Sequence, residues 1–167
     1  MRANARLPIL LQTRAAVRFV SIEPLLGEMA LHAAANLNEL RSGLHWIIVG
    51  GESGPNSRPM HPDWARALRD EAVHAGIPFF FKQHGQFVER NPGGKRRRIG
   101  VMRDGRVVPV GTPGAVTLWN TGAKLAGDVL NGQVWHQYPA GFVANPPRRS
   151  AKRRRSRGDG RGQSPSI

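Results

Sequence analysis

Residues 45–85 read HWIIVGGESGPNSRPMHPDWARALRDEAVHAGIPFFFKQHG, and the order of the parts decides the fold. Residues 45–49 form a continuous apolar run, the pattern of a strand buried on both faces of a parallel sheet. A Gly/Pro/Ser loop follows to Met60. Pro62 then suits the first position of a helix, and Asp63 suits the positive end of its dipole. Trp64, Leu68, Ala72 and Ala75 recur at helical spacing and give one apolar stripe. Gly76 is a natural stop. Residues 77–83 are again a β-branched and aromatic run. Strand, loop, helix and strand make a right-handed crossover unit with parallel strands.

Upstream, Val17, Phe19, Val20 and Ile22 predict another strand, closed by Glu23-Pro24. Residues 4–14 predict a short helix with Leu7, Leu10 and Leu11 on one side. Residues 29–42 carry only an imperfect helical pattern and read as a loop with a helical turn. The fold class is therefore α/β, a partial (β/α) barrel-like parallel sheet over residues 1–94. Three strands do not close a barrel, which needs eight strands and about 250 residues.

Downstream, NPGGKRRR is a turn followed by a charge block, and IGVMRDGRVVPVG predicts a hairpin turning at Asp104-Gly105. Residues 121–131 predict a helix capped by Thr121 and ended near Gly132. VWHQYP reads as a packing patch. Hairpin and helix make an extension over residues 95–145. Residues 146–167 contain no large apolar residue before Ile167, so they predict a disordered basic tail.

The charge is uneven. Residues 1–94 carry 10 Lys/Arg against 8 Asp/Glu, residues 95–147 carry 7 against 2, and residues 148–167 carry 8 against 1. Half of the net +14 therefore sits in the last 20 residues. Within them, Lys152, Arg153, Arg154 and Arg155 are four consecutive cations that would attract phosphates without reading sequence. No aromatic interleaves them, so base stacking is not indicated there.

The chain has no cysteine, which excludes disulfides, thiolate metal sites and cysteine nucleophiles within it and fits a cytoplasmic setting. No apolar run approaches the ~20 residues of a membrane span. The six histidines, at 32, 45, 61, 74, 84 and 136, lack metal-ligand spacing, so no metal site is expected. GGESGPNS lacks the ending of a nucleotide phosphate loop, and no serine sits in a nucleophile elbow.

The three strands of residues 1–94 each end in polar groups: Ser21 and Glu23, then Glu52 and Ser53, then Lys82, Gln83 and His84. In parallel α/β sheets, ligands lie at the carboxyl ends of the strands. Glu23, Glu52, Ser53, Lys82 and Gln83 are therefore the substrate- or cofactor-side candidates. The ordinary alternatives are a turn carboxylate for each glutamate and, for Lys82, a solvated strand-end cation or an ion-pair partner for one of those glutamates. His61 and His84 read as ordinary loop histidines.

RFVSIEPLLG, LHWIIVGGESGPNSRPMHPDWARALRDEAVHAGIPFFFKQHG and TGAKLAGDVLNGQVWHQYP together resemble the C-terminal portion of the phage "gp thirty-seven / gp sixty-eight" family, a domain of unknown function. The resemblance covers residues 7–88 and, more loosely, 121–139. It implies a barrel-like fold related to radical S-adenosylmethionine enzymes, whose full-length members carry a cysteine motif for a [4Fe–4S] cluster. It implies that Glu23, Glu52, Lys82 and Gln83 face cofactor and substrate. The cysteine motif is absent here, and a cluster needs thiolates. The expectation is thus a truncated C-terminal half, inactive alone, whose natural partner is the missing N-terminal half. The alternative is a non-catalytic protein that associates with nucleic acid through its basic tail.

Overall fold

The computed structural model describes residues 2–91 and 93–141, with the backbone alone for residues 2–4. The tail expected over residues 146–167, including Lys152, Arg153, Arg154 and Arg155, lies outside the described residues.

Helix α1 (Arg2–Gln12) opens the chain with Pro8 inside it. Strands β1 (Phe19–Ile22), β2 (Trp46–Gly50) and β3 (Phe79–Gln83) form the expected parallel sheet in that order. Ser21 pairs with Ile48, and Ile48 with Phe80; a register shift at Val49/Gly50 sets Gly50 opposite Gln83. Between β1 and β2 lies helix α2 (Leu37–Gly43), where the sequence pattern alone gave a helical turn. A capping box starts it: Asn36 accepts from the Glu39 N–H, and the Glu39 carboxylate accepts from the Asn36 N–H. Reciprocal caps of this kind satisfy two orphan donors that a short, weakly amphipathic helix cannot otherwise pair.

Helix α3 (Pro62–Ala75) connects β2 to β3. His61 caps it through Nδ1, which accepts from the Asp63 N–H at 3.2 Å, and Gly76 ends it in the left-handed region. The predicted stripe of Trp64, Leu68, Ala72 and Ala75 packs on Ile47, Val49, Phe79 and Phe81 in one core. Each large side chain fully buried there is worth about 1.5–3 kcal/mol relative to exposure. The β2 run is not buried on both faces, as its continuous apolar character suggested. Ile47 and Val49 are buried, whereas Trp46 and Ile48 on the other face are only half-buried. The helices cover one side of the sheet, so the other keeps partial access to solvent.

The second sheet is antiparallel. It comprises β4 (Phe87–Val88), β5 (Arg98–Val101), β6 (Val107–Val108) and β7 (Val116–Asn120), in the order β4-β7-β5-β6. Its inner face forms a small core of Phe87, Ile99, Val101 and Leu118. The β5–β6 hairpin is present, but its turn is longer than two residues. The Met102 N–H donates to the Arg106 carbonyl at 2.9 Å, leaving Arg103, Asp104 and Gly105 as the loop. Gly105 at φ 90° supplies the positive dihedral that a three-residue loop requires.

The helix expected over residues 121–131 is only helix α4 (Ala123–Ala126), and Gly122, not Thr121, occupies its cap position. The hairpin of β8 (Val129–Leu130) and β9 (Gln133–Val134) follows. Asn131 and Gly132 both have positive φ, 53° and 78°, so an Asn-Gly turn of the mirror-image type overrides the helical pattern. The VWHQYP patch has a definite role. The Phe81 N–H donates to the Trp135 carbonyl and the Gln137 N–H to the Phe79 carbonyl, so this stretch closes the free edge of β3. The architecture is thus mixed α/β, a parallel three-stranded sheet plus antiparallel sheets, and the described strands do not close a barrel. Among the described residues no helix is long and apolar enough to cross a membrane.

Candidate functional site at the carboxyl edge of the parallel sheet

Alternation along each strand decides which groups meet. Val49, Ile47, Phe79 and Phe81 face the helices, so Ser21 and Glu23, Ile48 and Gly50, and Phe80 and Lys82 share the opposite face. On that face Lys82 Nζ lies 3.2 Å from Glu23 Oε2, and the Ser21 hydroxyl donates to the same oxygen at 3.2 Å. The contact runs from one outer strand to the other, directly over the middle one.

Gly50 makes that crossing possible. A Cβ built on it would stand 2.8 Å from Glu23 Oε1 and 3.5 Å from Lys82 Cβ. The space a side chain would fill is the space the ion pair occupies. Glu23 keeps 23% of its side-chain exposure and Lys82 57%, so both charges remain reachable. A pair this exposed contributes at most about 1 kcal/mol to stability. Stability is therefore a weak reason for placing it there.

Below the pair, toward the start of the strands, the same face is aromatic. Phe80 stacks on His136 with centroids 4.5 Å apart, and Trp46 meets Phe80 edge-on at 6.0 Å. Tyr138 completes the group, 5.5 Å from both Trp46 and Phe80. His136 is held by Asp128 at 2.9 Å. Sequence reasoning missed these floor residues. Their signal was the alternation of Trp46, Ile48 and Gly50, hidden inside a uniformly apolar run.

The other candidates lie elsewhere. Glu52 turns back on its own loop. Its Oε2 accepts from the Arg58 backbone N–H at 2.7 Å and from Arg58 Nε at 2.9 Å, and Oε1 accepts from Arg58 Nη2 at 2.8 Å. These side-chain bonds from Arg58, followed by its backbone N–H, hold the carboxyl down at about 2. Glu52 therefore ties residues 52–58 into a closed loop. Ser53 is exposed in that loop. Gln83 points along the backbone, its amide 3.5 Å from the Gly51 carbonyl. His84 is buried against Phe81, with Nε2 2.8 Å from the Val129 carbonyl, and burial lowers its pKa. The structure thus unites Ser21, Glu23 and Lys82, and separates Glu52, Ser53 and Gln83 from them.

Among the described residues no three His, Cys, Asp or Glu side chains are placed to hold a metal ion. The chain contains no cysteine, so it offers no thiolates for an iron–sulfur cluster.

A family described as "Protein of unknown function (DUF5131)" matches residues 1–139. The chain belongs to that family. The matched range spans all three sheets and the stretch that closes β3, and so contains the Glu23–Lys82 edge and the aromatic floor. No curated protein and no solved structure matches the chain.

Proposed function

We infer that this chain supplies the ligand-binding edge of a cytoplasmic phage or prophage enzyme of the radical S-adenosylmethionine type. The motif resemblance supports the class. The single observation that carries the site is the Glu23–Lys82 contact across Gly50 at the carboxyl edge of a parallel sheet.

The two implied cofactors fit unequally. An iron–sulfur cluster does not fit, because its thiolates are missing from the sequence; no step is derived through it. S-adenosylmethionine does fit the chemistry of the pair. Its amino-acid end carries an ammonium and a carboxylate, the complements of Glu23 and Lys82. The Ser21 hydroxyl offers a further hydrogen bond, and the aromatic floor suits an apolar or planar body. When bound, the cofactor supplies carbon activated by the neighbouring sulfonium. The chain's own part is to hold and orient: Glu23 fixes the ammonium, Lys82 the carboxylate, and Gly50 leaves room for both.

Calorimetric titration of the full chain with S-adenosylmethionine tests this. Binding is expected, with loss in Glu23→Gln and in Lys82→Met. Absence of binding by the unaltered chain rejects the assignment.

A second reading, association with nucleic acid through the tail, is favoured by the +7 net charge of residues 148–167. Removing those residues and measuring DNA affinity against salt decides it. An unchanged salt slope rejects the tail as the contact.

A further inference from the structure

The antiparallel sheet carries a different surface. Ile99 and Leu118 point into its small core, so Arg98 and Trp119, their chain neighbours, point outward. Arg98 and Trp119 are register partners, and Val88 flanks Trp119 on its other side. A cation and an indole separated by 20 residues in sequence thus lie side by side on one face.

Two observations bear on this face. The first concerns charge. Lys82 and Arg58, Arg66, Arg69, Arg103 and Arg106 all pair with carboxylates. Among the described residues, Lys95, Arg96, Arg97 and Arg98 have no carboxylate partner, as is also true of Arg6, Arg14, Arg18, Arg41, Arg90 and Lys124, but these four alone follow one another directly; Arg96 Nε donates to the Gly93 carbonyl at 3.0 Å. Arg97 lies apart from the other three, bordering a polar cleft of about 520 Å³ with Phe87 and Asn120 on the core side of the sheet. The second concerns the indole. Trp64 donates its N–H to the Arg103 carbonyl at 2.8 Å and Trp46 to the Gln137 carbonyl at 2.9 Å. Trp119 is half-buried, and no acceptor for its N–H is found among the described residues; the buried Trp135 indole N–H likewise has none, so it is the partial exposure of Trp119 beside Arg98 that matters.

We propose that this outer face binds single-stranded nucleic acid, with Trp119 as the stacking platform and Lys95, Arg96 and Arg98 as phosphate contacts. An aromatic ring beside a run of cations that no carboxylate neutralises matches a polyanion whose bases are free to leave their stack. A duplex keeps its base faces covered and cannot use the ring. The surface is distinct from the Glu23–Lys82 edge and from the tail, and it stands if either of those readings fails.

The test is fluorescence anisotropy of the full chain with a labelled oligothymidine of about 12 nucleotides, within the usual site size for such surfaces. Trp119→Ala is expected to weaken binding at least about tenfold, the scale of one lost base stack. Trp119→Phe, which keeps a smaller ring and the packing against Val88, is expected to lose less. Replacing Lys95, Arg96 and Arg98 by serine is expected to lower the salt slope by about 2, near 0.7 per phosphate contact. The same losses are expected after residues 148–167 are removed. Should Trp119→Ala melt early, Trp119→Phe and the serine variant carry the decision. Unchanged affinity in the Trp119 variants, an unchanged salt slope in the serine variant, equal affinity for a duplex of the same length, or complete loss of binding on tail removal each overturns the proposal.

Discussion

Gly51 and Gly85 lie back to back across the ends of β2 and β3. A Cβ on Gly51 would stand 2.1 Å from the His84 carbonyl oxygen, and one on Gly85 would stand 2.3 Å from the Glu52 carbonyl oxygen. Both obstacles are backbone, which cannot rotate aside. The Gly51 N–H donates to the Gln83 carbonyl and the Gln86 N–H to the Glu52 carbonyl, so the two chains stay zipped beyond the strands. Gly51→Ala and Gly85→Ala are each expected to cost about 2–4 kcal/mol, since overpacking here must move main chain. Chemical denaturation with an unchanged slope and a lowered midpoint is the readout.

Gly50→Ala should behave differently. Its nearest obstacle is the mobile end of the Glu23 side chain at 2.8 Å, so the ion pair gives way before the backbone does. The expected result is a stability loss below about 1 kcal/mol, as for an exposed pair. S-adenosylmethionine binding should be lost to the same degree as in Glu23→Gln. A Gly50→Ala variant that binds as well as the parent separates the pair from the site.

Glu52 has a direct titration signature. Its carboxyl is held at about 2, first by the Arg58 side chain. The folded value lies below the ordinary 4.5, so the stabilisation is complete above pH 4.5 and disappears as pH falls through about 2. Carbon-detected NMR should place the midpoint near 2, and Arg58→Ala should return it toward 4.5. A midpoint unmoved by that substitution would falsify the closed loop.

The buried histidines give a second pH dependence. Burial lowers the pKa of both His84 and His61 below 6.5. The unfolded chain therefore takes up protons first as pH drops. Their contribution is complete above pH 6.5 and declines as pH falls through the lowered values. Melting temperature should fall between pH 7 and pH 5 on this account. His84→Gln retains a donor for the Val129 carbonyl without titrating, and should flatten the decline.

Local chemistry explains what could be read without coordinates. The α3 stripe and its Pro62 and Gly76 boundaries depend on residues within a few positions of each other, and the structure follows them closely. The parallel sheet was legible for the same reason. Asn36 with Glu39, and Asn131 with Gly132, were equally local signals, but a weak apolar pattern around them carried more weight than the caps and turns deserved. The meeting of Glu23 with Lys82 was legible only as a shared sheet edge. Which glutamate would turn away depended on Arg58, whose loop closure no periodicity reveals. The Arg98–Trp119 neighbourhood was illegible, because it needs the register of β5 against β7.

The stretch from Trp135 to Gln137 bonds the outer edge of β3, about fifty residues after that strand has been made. On the ribosome, β3 must leave the exit tunnel with a naked row of amides and carbonyls facing outward, and must wait in that condition. An exposed strand rim is an invitation to other chains. A stop codon after β3 but before position 135 would release a polypeptide locked in that unguarded interval, with a strand rim open to aggregation.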